Sequence, residues 1–101
     1  VNITELKAIV FAKLTARGVP VRLNYRVPLS NSVKGYQRIN LDVVALGKDK
    51  KPFLAIYMGP KKERKLIKYR MTKIPFIELS DESRLPAVIE EFLGIYIDKW
   101  Y

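Results

Sequence analysis

Three patterns predict an α/β (α+β) fold, a mixed central sheet of about four strands flanked by helices in the order α-β-β-β-α-β-α. Apolar residues recur at helical spacing near the start of the sequence and again over residues 85–93. Between them, three runs rich in β-branched and aromatic residues follow one another with turn residues at their junctions. A short polar segment of helical character then precedes a fourth such run at residues 75–79. At 101 residues the sequence can bury one core but not two, so residues 1–101 read as a single domain with an aromatic tail over 95–101.

The first helix is marked by Ile3, Leu6, Val10 and Leu14, with Asn2 and Glu5 placed as a capping box and Gly18 as a stop. A strand follows in which Val19, Val21, Leu23, Tyr25 and Val27 alternate with Arg22, Asn24 and Arg26, so one face is expected to be apolar and the other basic. Residues 28–35 collect Pro, Ser, Asn and Gly and read as a loop. Residues 36–46 and 52–58 then form an antiparallel pair joined by the hairpin chemistry of residues 47–51.

Gly59-Pro60 ends that pair, and residues 61–72 read as a helix that turns Leu66, Ile67 and Tyr69 or Arg70 toward the sheet. Residues 75–79 are expected to be a buried strand. Ser80 or Asp81 can cap a last helix carrying Leu85, Val88, Ile89, Phe92 and Leu93, which Gly94 is expected to terminate. In the tail, Ile95, Ile97 and Lys99 alternate with Tyr96, Asp98 and Trp100, a period that suits an edge strand and a dimer seam, or packing back on the sheet.

Composition narrows the chemistry. Cysteine and histidine are both absent, which excludes disulfides, Ser-His-Asp and Cys-His catalysis, zinc fingers and the HExxH site. No apolar stretch approaches the roughly 20 residues needed to span a bilayer, and no signal-peptide segment is evident, so a cytoplasmic, non-membrane protein is expected. The abundance of lysine and isoleucine is compatible with a thermophilic source. The net charge of +9 is unevenly spread: residues 1–73 hold 17 Lys/Arg against four Asp/Glu, and residues 74–101 hold two against six. Such asymmetry points to a basic face and a polyanionic partner, or to a surface kept soluble by lysine.

Residues 39–46 (INLDVVAL), the hairpin, residues 53–58 (FLAIYM), residues 65–70 (KLIKYR) and residues 74–77 (IPFI) together resemble the PD-(D/E)xK, restriction-endonuclease-like nuclease superfamily over roughly residues 2–94. The core of that family is a helix, a three-stranded meander, a crossover helix and a further strand. The resemblance implies a metal-binding role for Asp42 and an acidic partner at Glu5, with Mg²⁺ or Mn²⁺ polarising a scissile phosphate. Where the family carries Glu-x-Lys, this sequence has Tyr57-Met58-Gly59. A phenol is a poor ligand for a hard cation, so the departure favours an inactive relative that needs no cofactor. The following helix offers replacements in Glu63, Lys61, Lys62 and Lys65, which keeps open an active divalent-metal-dependent nuclease with a rearranged site.

The densest basic segment, residues 48–73, holds ten Lys/Arg against Asp49 and Glu63. If the hairpin and the helix start share one side, Lys48, Lys50, Lys51, Lys61, Lys62, Arg64 and Lys65 form a surface that tracks phosphates without reading bases. The turn at Gly59-Pro60 could add backbone N–H groups. Three functions follow: a catalytically inactive nucleic-acid-binding protein, with DNA favoured over RNA; a metal-dependent nuclease; or an adaptor that self-associates, as a homodimer, through residues 95–101.

Overall fold

The computed structural model describes residues 2–28 and 38–100. The loop expected after Pro28, the start of the second strand with Tyr36, and Tyr101 lie outside the described residues. Helix α1 (Ile3–Ala16) leads to strands β1 (Val21–Pro28), β2 (Arg38–Leu46) and β3 (Pro52–Met58). Helix α2 (Glu63–Met71), strand β4 (Phe76–Leu79), a 3₁₀ turn (Glu82–Arg84) and helix α3 (Leu85–Trp100) complete the order. The sheet is mixed and runs β1-β2-β3-β4, with β1, β2 and β3 antiparallel and β4 parallel to β3. A parallel neighbour requires a crossover, and α2 supplies it. No helix among the described residues is long and apolar enough to cross a membrane.

Helix α1 starts where the Asn2 side chain accepts a hydrogen bond from the Glu5 amide at 2.8 Å. It ends in a Schellman motif: the Gly18 amide donates to Thr15 and the Val19 amide to Leu14, with Gly18 at φ 83°. Leu6, Val10 and Leu14 face inward. Together with α3 they cover one side of the sheet, over Val21, Val43, Ala45, Leu54, Ile56 and Met58. Helix α2 covers a smaller cluster of Ile39, Leu41, Val44, Ala55, Tyr57 and Tyr69.

Strand β1 departs from the expected single apolar face. Leu23 and Val43 pack in the first cluster, whereas Tyr25 and Leu41 pack in the second. Residues two apart on a regular strand share a face. The change occurs at Asn24, which sits at φ 51° between the Leu23↔Val43 and Tyr25↔Leu41 pairs. Asparagine enters the left-handed region more readily than most residues, and here it turns the strand over while pairing continues on both sides.

Three further expectations are corrected. Strand β4 is an edge strand with only Leu79 fully buried, because among the described residues no strand pairs beyond it. On α2 the inward side chains are Lys65, Leu66 and Tyr69, and Ile67 is 46% exposed, since i and i+4 share a face that i+2 leaves. Gly94 does not end α3, which continues to Trp100, so no edge strand exists over residues 95–100. An internal helical glycine costs about 0.5–1 kcal/mol relative to alanine, while burying a large apolar side chain contributes about 1.5–3 kcal/mol. Tyr96 is buried one turn beyond Phe92, its ring 5.7 Å from that of Phe53, and this packing outweighs the glycine.

Candidate functional site

Asp42 is the one buried charged residue among the described residues, 6% exposed in the middle of β2. Its Oδ2 accepts hydrogen bonds from the Tyr69 hydroxyl at 2.8 Å and the Met58 amide at 3.0 Å, and the Lys65 ammonium lies 2.9 Å away. The Lys7 ammonium stands 3.2 Å from Oδ1. The Tyr69 hydroxyl in turn accepts from the Asp42 amide at 2.9 Å, so one phenol serves both the backbone and the side chain of the same residue. Helices on opposite sides of the sheet thus meet on a single carboxylate, at the level where β1 turns over.

Burial alone would raise the Asp42 pKa. The hydrogen bonds from Lys65, Met58 and Tyr69, together with the Lys65 charge, outweigh that and hold it below its ordinary value. Burial, with the neighbouring Asp42 charge, pushes the Tyr69 phenol far above its usual range, so it remains a donor. Lys7 is fixed by a second bond, from its ammonium to the Asn24 side-chain oxygen at 2.8 Å. Lys65 lies 4.6 Å above the Tyr57 ring and 3.4 Å from the Met58 carbonyl oxygen.

The regular pairing of β2 with β3 ends at Val43↔Ile56, and Asp42 and Tyr57 are the next residues on the two strands. The Tyr57 hydroxyl donates to the Pro60 carbonyl at 3.1 Å and accepts from the Lys62 amide at 2.9 Å, fastening the turn that begins α2. Gly59 makes that turn at φ 94°, where an added Cβ would meet the Ile3 side chain at 2.7 Å. No side chain caps the N-terminus of α2, whereas at its C-terminus the Thr72 hydroxyl donates to the Tyr69 carbonyl at 2.6 Å.

The residues around Asp42 do not suit a divalent cation. Both carboxylate oxygens face ammonium groups, and a metal would have to displace at least one of them. No cluster of three or more metal-ligating side chains occurs among the described residues. Glu5 is exposed and bonded to Asn2 at the start of α1. Two residues on, Lys7 points a different way and occupies the place beside Asp42 where an acid was expected. Glu63 is exposed on α2, and it is again the residue two positions further, Lys65, that turns inward.

The seven basic residues expected to form one surface divide into two groups. Lys48, Lys50 and Lys51 belong to the hairpin that precedes β3, and Lys61, Lys62, Arg64 and Lys65 follow its far end. A seven-residue strand separates them by roughly 20 Å. Lys61 is paired with Glu78 at 3.0 Å, and Lys65 is committed to Asp42. At the start of α2 lies an open cleft of about 680 Å³ lined by Ile39, Asn40 and Glu63 and by the basic residues Lys62, Arg64, Lys65 and Lys68.

Lys7 and Asn24 carried no sequence signal, being one lysine on an amphipathic helix and one polar residue in an alternating strand. The separation of the hairpin from the helix start was implicit in the element order, because a strand lies between them. Comparisons with family models, with curated proteins and with solved structures gave no match.

Proposed function

We propose that the chain is a nucleic-acid-binding protein with a restriction-endonuclease-like architecture, catalytically silent, that grips the phosphate backbone through the basic cleft at the start of α2. DNA is the favoured partner and the cytoplasm the compartment. The helix, three-stranded meander, crossover helix and parallel fourth strand support the architecture, as does the place of Asp42 and Tyr57 one residue beyond the Val43↔Ile56 pair on adjacent strands. The observation that carries the silent reading is the occupation of both Asp42 oxygens by Lys7 and Lys65. A divalent cation at that carboxylate would have to displace an ammonium, and no group of three metal-ligating side chains stands there among the described residues, which supports the silent reading.

Binding to the backbone releases counterions, so affinity falls steeply with salt. About four phosphate contacts from the cleft give roughly a hundredfold loss between about 50 and 200 mM salt, and about seven, with the hairpin lysines included, several thousandfold. Fluorescence anisotropy of a labelled duplex in EDTA distinguishes these values. The expected result is the smaller loss, with no nicking of plasmid DNA when Mg²⁺ or Mn²⁺ is supplied. Divalent-dependent nicking that disappears in Asp42→Ala would restore the nuclease reading. Absence of binding at low salt would leave the adaptor reading, which now has to use the helical surface of α3 in place of an edge strand.

A further inference from the structure

The Asp42 cluster holds two ammoniums against one carboxylate. Tyr69 and Asn24 complete it as neutral groups. The other charges on the packed elements do not cancel the surplus: Glu5 is turned to Asn2, Glu63 stands on the exposed first turn of α2, and Arg22, Arg26, Lys62 and Arg64 on β1 and beside α2 are basic and exposed. Both lysines also reach water, their side chains 17% and 32% exposed, while the carboxylate between them is only 8% exposed.

Each ammonium has three N–H donors. Lys7 directs two at Asn24 and Asp42, and Lys65 directs one at Asp42 and a longer one at the Met58 carbonyl. One donor on Lys7 is left for a further acceptor, while Lys65, 32% exposed, also lies 4.6 Å above the Tyr57 ring and would exchange that weak contact for an anion. The two stems come from different helices, yet one buried carboxylate fixes both heads, so an incoming anion meets charges already held in place. Each ammonium stands beside one oxygen of the carboxylate and keeps part of its side chain in water, where a phosphate can reach it.

We infer that Lys7 and Lys65 bind a nucleic-acid phosphodiester directly, in place of a divalent cation, with Asp42 as the fixed counter-charge that positions them. The inference rests on the nucleic-acid-binding reading and extends it from the α2 cleft to a residue of α1 that the cleft does not contain.

Lys7→Gln tests it, because glutamine keeps a donor toward Asp42 and Asn24 but removes the charge. Binding of a labelled duplex in EDTA is measured across a salt series, with circular dichroism confirming the fold. Loss of one phosphate contact lowers the slope of log K against log salt by about 0.9, and Lys7→Arg retains the wild-type slope. A wild-type slope in folded Lys7→Gln overturns the inference while leaving the binding function standing. Absence of binding by the wild-type protein overturns both. If Lys7→Gln does not fold, Lys65→Gln is read by the same criterion, and a gain in affinity on adding Mg²⁺ that vanishes in Asp42→Asn would assign the site to the cation.

Discussion

The two sides of the sheet are built on different terms. Under α1 and α3 lies a continuous apolar core that includes Val10, Leu14, Leu54, Ile56, Leu79 and Phe92. Under α2 the buried cluster is smaller, and its two largest members, Tyr57 and Tyr69, bring hydroxyls with them. Those hydroxyls are used, one to fasten the turn into α2 and the other to hold Asp42. The first side supplies stability that does not depend on pH or salt. The second places charge in a defined position, which is a poor way to gain stability but a good way to build a site.

The largest effect that would break this contrast lies on the apolar side. Phe92 is fully buried, and Phe92→Ala is expected to cost about 4 kcal/mol in urea unfolding, with no dependence on pH. A loss below about 1 kcal/mol would mean that α3 contributes little to the core.

Asp42→Asn comes next, because it leaves two ammoniums and a phenol around a neutral amide. About 3 kcal/mol is expected, the low end for breaking a buried pair, since both lysines retain access to water. The pH dependence has a fixed sign. Asp42 titrates lower in the folded chain than in the unfolded chain, so its contribution is complete above the unfolded pKa near 3.9 and is lost as pH falls through the lower folded value. The wild-type urea midpoint should therefore fall on acidification below about pH 4 more steeply than that of Asp42→Asn. Asp81 also titrates low, through its capping bonds to Ser83, and contributes equally to both proteins. Parallel midpoint curves would show that the carboxylate is not a stabilising partner.

The smallest effect concerns Gly94, which lies inside α3 with nothing within 4 Å of a Cβ placed there. Gly94→Ala is expected to raise stability by about 0.5–1 kcal/mol. A helix that stopped at this residue in a left-handed conformation would give the opposite sign.

Gly94 also marks the limit of what periodicity could convey. Helix α1, the meander, the crossover and β4 were legible because their apolar spacing agrees with their turn residues. At residues 94–99 a glycine and a two-residue alternation both argued against helix. They were overruled by Tyr96, whose burial against Phe53 depends on a strand distant in sequence. Asp42 could be singled out only through the resemblance carried by residues 39–46. Its partner Lys7 could not, because nothing in ITELKAIV distinguishes a lysine that reaches across the fold from one that faces water. Nor does alternation in VRLNYRV reveal that Asn24 turns the strand over.

The Asp42 cluster has a bearing on how long the folded state lasts. Tyr69 and Asp42 are 27 positions apart, and Lys7 comes from further still on the opposite flank, so the cluster closes only when both helices have docked. The meander can pair earlier, from shorter loops. Interactions made after the folding barrier slow unfolding without hastening folding. A carboxylate whose loss costs about 3 kcal/mol thereby acts chiefly on the lifetime of the native chain, as a latch that is set last and must be released first.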